Sequence, residues 1–176
     1  LNRYGILAGK RIVVATNNDS AYLTAAELAD AGASVSLLDA RTNISSPLMK
    51  KLGDSGVSLN TRCAPLNVNG SNRVNGVEIA AVTNDGWSKR GTESCDLLLV
   101  SGGWSPVVHL ISHRGVRPVW EPSQACFVAP ENSEPITMAG SAAGIWNTGD
   151  CLESGHSAGA KAAKALGCST RQKPAP

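Results

Sequence analysis

Thr16, Asn18 and Ala21 sit at the spacing of a strand-to-helix turn, and Asp39 follows about 20 residues on, at the end of a second apolar stretch. An acid in that place accepts hydrogen bonds from a ribose, while amides at a helix start hold a diphosphate. The pattern that does both is G-x-G-x-x-G. Its first glycine makes the turn, its second admits the pyrophosphate and its third lets helix and strand pack. Here the positions read Thr16-x-Asn18-x-x-Ala21. Ala21 is small enough for the third place. Asn18 tolerates a left-handed backbone but brings a side chain to where phosphate approaches. Asp19 opens the following helix, where its carboxylate opposes a diphosphate by on the order of a few kcal/mol at ~4 Å before screening. Asp39, Thr16 and Asn18 are therefore cofactor-binding candidates. The competing reading is a self-capped turn in which Asn18, Asp19 or Ser20 satisfies the helix amides.

Other reactive residue types are scattered. His109, His113 and His156 have no Ser or Cys nucleophile in an elbow motif and form no triad, so no catalytic residue is assigned. His109 reads as a packing or capping residue. The five cysteines, 63, 95, 126, 151 and 168, include no C-x-x-C pair, and the carboxylates are dispersed; neither a zinc site nor a calcium cage is expected. Buried thiols in a cytoplasmic protein are the expectation. Trp87, Trp104, Trp120 and Trp146 carry much of the large apolar surface, and Trp104 at a strand exit reads as a core residue or, alternatively, a contact residue.

The elements that must position these residues follow from the apolar pattern. Arg11–Thr16 reads as a buried parallel strand, Ala21–Ala31 as a helix stopped by Gly32, and Ser34–Leu38 as the next strand. Pro47–Leu52 reads as a short helix ending before Gly53, and Val57–Arg62 as a third strand. Residues 65–99 alternate short apolar runs with Asn69-Gly70, Asn75-Gly76 and Asp85-Gly86, the pattern of an antiparallel meander. Asp96–Ser101 is a further buried strand. Residues 113–134 read as loop, Ile136–Ala139 as a short strand, and Asp150–Leu166 as a helix whose Gly155 and Gly159 suit close packing. The expected division is a nucleotide-binding-like domain over 1–112, the closing segment of an interrupted domain over 113–170, and a linker over 171–176.

Composition bounds the rest. The 176 residues are 42% apolar and 17% charged, enough for a real core. A net charge of +2 without a basic stripe gives no case for nucleic acid, and no apolar run is long enough to cross a bilayer. The chain opens on Leu1 with no signal-peptide pattern and reads as a piece of a longer protein.

Taken together, Leu1-Asn-Arg-Tyr-Gly5, Val14-Ala-Thr-Asn-Asn-Asp-Ser-Ala-Tyr22, Leu38-Asp-Ala-Arg41, Leu99-Val-Ser-Gly-Gly-Trp-Ser-Pro106 and Ala139-Gly-Ser-Ala-Ala-Gly144 resemble the alpha subunit of heterotetrameric sarcosine oxidase. The resemblance covers nearly the whole chain, and the glycine-poor turn is typical of that family. It implies an α/β, Rossmann-like FAD/NAD(P)-binding fold, a parallel sheet with helices plus an antiparallel β-meander. It implies oxidative demethylation of sarcosine to glycine, formaldehyde and hydrogen peroxide, with the one-carbon unit passed to tetrahydrofolate. It also implies NAD in the parent subunit, FAD and FMN in the complex, and beta, gamma and delta partner subunits. In related flavoproteins the strand near 136–140 runs into Gly-Asp, whose acid bonds the flavin ribityl chain. Ser141 follows Gly140 here, which removes a charge-assisted hydrogen bond to a flavin and is compatible with a site switched to NAD, so Gly140, Ser141 and Ala142 are the remaining cofactor-lining candidates. Alternatives are a subunit of a related amine dehydrogenase (opine oxidase, hydrogen cyanide synthase, dye-linked proline dehydrogenase), a non-catalytic assembly module, or an independent NADH-dependent reductase domain.

Overall fold

The computed structural model describes residues 1–130 and 136–169, with Lys51 as backbone only. They fall into two compact units, Leu1–Gly103 and a second that opens at Trp104. This contact division lies ahead of the change in sequence character read at residue 112.

The first unit is built on a four-stranded parallel sheet. Its strands are β1 (Arg11–Thr16), β2 (Ser34–Asp39), β3 (Ser58–Thr61) and β7 (Leu97–Ser101), in the order β3-β2-β1-β7. Helix α1 (Ser20–Asp30) joins β1 to β2, and α2 (Ser46–Ser55) joins β2 to β3. Between β3 and β7 the chain makes an antiparallel meander of β4 (Cys63–Gly70), β5 (Val74–Thr83) and β6 (Gly86–Glu93). Side chains of a strand alternate between faces, so a strand covered on both sides is apolar throughout. Ile12 and Val14 join Tyr22, Ala25 and Leu28 of α1 in one cluster. Val13 and Leu38 join Cys63, Val77 and Ile79 of the meander in another. Each such buried Ile, Leu or Val stabilises by ~1.5–3 kcal/mol relative to exposure.

Three local expectations are corrected. Helix α2 does not stop before Gly53 but runs through it to Ser55, and Gly56 closes it with φ +71°. Asn75-Gly76 is not a turn. It lies inside β5, where Asn69 pairs with Gly76, and the reversal is made instead by the residues between Gly70 and Val74. The third strand is shorter than Val57–Arg62, because Arg62 turns to φ +54° as the chain leaves the parallel sheet.

The second unit holds α3 (His109–His113), a hairpin of β8 (Val119–Glu121) and β9 (Cys126–Val128), a 3-10 turn at Gly140–Ala143, and α4 (Thr148–Ala165). The segment read as loop thus contains a two-stranded ladder. Residues 136–139 form no strand; Ala139 is extended but has no ladder partner among the described residues. Asn147 caps α4 by accepting from the amides of Gly149 and Asp150, so the helix starts two residues earlier than expected. No residue of α4 is buried, and a side chain at Gly155 or Gly159 would meet open space. The expected linker over 171–176 lies outside the described residues.

Candidate functional site

The carboxyl ends of β1, β2 and β7 bring Thr16, Asn18, Asp39 and Ser101 to one corner of the first unit. In open parallel sheets this is where nucleotides bind, at the point where strand order reverses. Here that point lies between β1 and β7.

Asn18 fills it. Its Nδ2 donates to the Ser101 carbonyl at 3.0 Å and lies 3.1 Å from the Ser101 hydroxyl, so one amide ties the end of β1 to the end of β7. The same nitrogen contacts Thr16 Oγ1 at 3.2 Å. Its Oδ1 accepts from the Ser20 amide at 3.1 Å and from the Ser20 hydroxyl. The Thr16 hydroxyl meets the Asn18 amide at 3.1 Å and closes the turn. Asn17 stands over Gly103, where an added Cβ would come within 3.3 Å of the Asn17 Oδ1. Of the self-capping candidates, Asn18 makes these bonds; Asp19 occupies the N-cap position without a side-chain capping bond.

Asp39 is fully buried. The Tyr22 hydroxyl donates to its Oδ2 at 2.7 Å. Arg41 donates its backbone amide to Oδ1 at 2.8 Å and its Nη2 to Oδ2 at 2.8 Å, with Nε within 3.1 Å of Oδ1. The other guanidinium nitrogen, Nη1, pairs with Asp19 at 2.7 Å, a carboxylate 63% exposed. The bond to Asp39 foremost, then that to Asp19, holds Arg41 well above its ordinary pKa against the opposing effect of burial. Burial, with the adjacent Asp39, pushes the Tyr22 phenol upward. One guanidinium thus serves two carboxylates, Asp19 and Asp39, beside the turn that the Asn18 side chain fills.

In this corner the groups that a dinucleotide would use already have partners within the chain. A ribose at the end of β2 would compete with Tyr22 and Arg41 for Asp39. A pyrophosphate needs close access to the turn, and Asn18 occupies it. Sequence reasoning found Thr16, Asn18 and Asp39 but missed Tyr22, Arg41 and Ser101. The sign available for Arg41 was an Asp followed two residues later by a donor, an Asx-type turn.

Gly140, Ser141 and Ala142 lie in the second unit, apart in the chain from that corner. They make the tight turn ahead of α4, with Gly140 at φ +58°. The Gly140 amide donates to Ser154 Oγ at 3.3 Å, and Ile145 N bonds the Gly140 carbonyl at 3.2 Å. Ser141 is exposed. Nearby, the Gln124 Oε1 accepts from Trp146 Nε1 at 3.2 Å, and Trp146 lies 6.3 Å from Trp104, centroid to centroid. His109 is exposed, and Val108, not His109, caps α3. Among the described residues no cluster of His, Cys, Asp and Glu could hold a metal ion, and no helix is long and apolar enough to cross a membrane. Cys63, Cys95 and Cys126 are buried free thiols.

The sheet order, inserted meander and helices place the chain in the α/β class with the Rossmann-like FAD/NAD(P)-binding fold of flavoprotein oxidoreductases. Thioredoxin reductase of T. acidophilum superposes with a TM-score of 0.64 over 92% of this chain and 53% of its own, at 16% identity. The bacillithiol disulfide reductase Bdr of Staphylococcus aureus gives 0.62 over 89% and 50%, at 17% identity. Histamine dehydrogenase from Rhizobium sp. 4-9 gives 0.57 over 99% and 26%, at 19% identity. Within that class the chain is a relative of sarcosine oxidase subunit alpha along nearly its whole length. It is 38% identical over 172 residues to that subunit of Corynebacterium sp. (strain P-1) and 31% identical over 158 residues to that of Rhizobium meliloti (strain 1021). The matches cover 95% and 88% of this chain but 18% and 15% of those subunits. The chain thus spans less than a fifth of the relatives' length. No family model matches it.

Proposed function

We propose that this chain is a segment of an oxidoreductase subunit of the sarcosine oxidase alpha type, and that it acts as a nucleotide-fold scaffold rather than a cofactor seat. The observation that carries this reading is the closed corner, with Asn18 bonded across β1 and β7 and Asp39 buried under Arg41. The parent complex would convert sarcosine, dioxygen and water to glycine, formaldehyde and hydrogen peroxide, passing the one-carbon unit to tetrahydrofolate when that acceptor is present. NAD would belong to the parent subunit and FAD and FMN to the complex with its beta, gamma and delta subunits, in the cytoplasm. Residues 1–112 would be the degenerate nucleotide domain, 113–170 the closing part of an interrupted one, and 171–176 a linker. Gly140, Ser141 and Ala142 would line the parent's cofactor, with Ser154 orienting the first of them. A dinucleotide bound there would take no part in turnover, and this segment would contribute position alone.

The test uses the purified 176-residue chain. Sarcosine-dependent peroxide formation is expected to be absent, and titration with NADH in a calorimeter is expected to give no saturable heat. Saturable NADH binding would instead favour an independent reductase domain, and peroxide production would overturn the scaffold reading outright.

A further inference from the structure

The closed corner keeps most of the parts of a dinucleotide seat. Thr16 stands at the end of β1, α1 begins directly after the turn, Asp39 ends β2, and Gly102-Gly103 leave β7 with no side chain. Asn18 holds the place of the glycine whose absent side chain admits the diphosphate. Its two polar atoms do two separate things. Oδ1 gives the Ser20 amide, the first of α1, the acceptor that a phosphate oxygen would give it. Nδ2 crosses to Ser101, sealing the gap between β1 and β7 that the ligand would enter. An internal amide is neutral, already ordered and always present, so a dinucleotide must displace it before gaining any contact.

From this we infer that Asn18 is the specificity-determining residue that bars an adenine dinucleotide from this corner, a stand-in ligand built into the chain, and that shortening it reopens a latent seat. The inference rests on the scaffold reading above. Arg41 is a secondary obstacle. It bonds Asp39 and Asp19 at once and is itself about a third exposed, so a ribose reaching the carboxylate would have to displace it as well.

The experiment compares the wild-type chain with Asn18→Gly and Asn18→Ser, each titrated with NADH and with ADP-ribose by calorimetry, with thermal melts alongside. The Asn18→Ser variant keeps an acceptor close to the Ser20 amide, but its hydroxyl is too short to reach Ser101. The expected result is no saturable binding by wild type and saturable binding by both variants to both probes, tighter than wild type by about tenfold or more. ADP-ribose is expected to match NADH, because the seat faces the adenosine diphosphate half. Folded variants that bind neither probe would overturn this inference and leave the scaffold reading standing. Wild type that binds as tightly as the variants would overturn both. Loss of folding in both variants would also count against it, since Asn18 would then be required by the fold rather than set against a ligand.

Discussion

At the scale of single residues, Asp39 shows how one carboxylate can be legible in the sequence while its use is not. Its position at the end of β2 followed from the apolar run before it. Its partners did not, because Tyr22 reaches it from the buried face of α1 and Arg41 folds back only after the chain bends beyond the strand. The difference decides between binding and scaffolding, since a buried acid already bonded by Tyr22 and Arg41 has no need of a ribose. Removing one donor leaves a buried charge less satisfied, and a bond to a charged group contributes about 1.5–3 kcal/mol. Tyr22→Phe is therefore expected to lower unfolding stability at pH 7 by about 2 kcal/mol, read from urea midpoints at unchanged slope. The phenol also carries a pH dependence. Burial and Asp39 raise its folded pKa above the ordinary value of about 10, so the folded chain holds a proton that the unfolded chain releases. That contribution is complete below about pH 10 and fades as pH rises past it. Wild type is expected to lose stability over that window more steeply than Tyr22→Phe, a difference that paired melts between about pH 9 and 11 will show.

At the scale of elements, the parallel core was readable and the punctuation was not. β1 and β2 announced themselves because both faces of each are covered, which makes their apolar runs continuous. Gly53 and Gly76 misled because glycine marks a break only where the backbone needs one. Gly53 sits within α2 with open space about its Cα, while Gly56 carries the left-handed residue that ends the helix. The two are expected to respond with opposite signs. Gly53→Ala removes the entropy cost of a helical glycine and should stabilise by about 0.5–1 kcal/mol. Gly56→Ala forces a side chain into φ +71° and should destabilise by about 1–2 kcal/mol. If instead Gly53→Ala destabilises while Gly56→Ala is neutral, the helix ends where the sequence pattern placed it. Gly76 has a different reason to be glycine. A Cβ there would lie 3.0 Å from the Glu93 carbonyl of the neighbouring strand. That contact is with backbone and cannot rotate away, so Gly76→Ala is expected to lower the melting temperature by several degrees, about 1–3 kcal/mol in a chain of this size.

At the scale of the whole molecule, the two units differ in how much they bury. The first closes apolar clusters on both faces of its sheet. In the second, Pro106, Ile111, Cys126 and Gly144 are the buried residues among those described, while Trp104, Trp120, Phe127 and Leu166 are exposed. Residues 136–139, apolar enough to read as a strand, form no ladder among the described residues. A strand needs a neighbour as well as a pattern, and the pattern alone is what a sequence displays. Local stability follows buried contact, from near zero for uncovered elements to the global value for core strands. Each ~1.4 kcal/mol of that difference slows amide exchange about tenfold. Amides of β1 and β2 are accordingly expected to exchange at least about a thousandfold more slowly than those in the middle of α4, whose 18 residues include none that is buried. Trypsin is expected to cut at Lys161 and Lys164 well before Lys10 or Arg11, the last of which lies within the ladder of β1. Equal protection of α4 and β1 would mean that the second unit draws stability from contacts its burial does not display. Protection confined to the first unit would mean that the nucleotide fold stands on its own sheet, with the corner closed by Asn18 as part of that stable core.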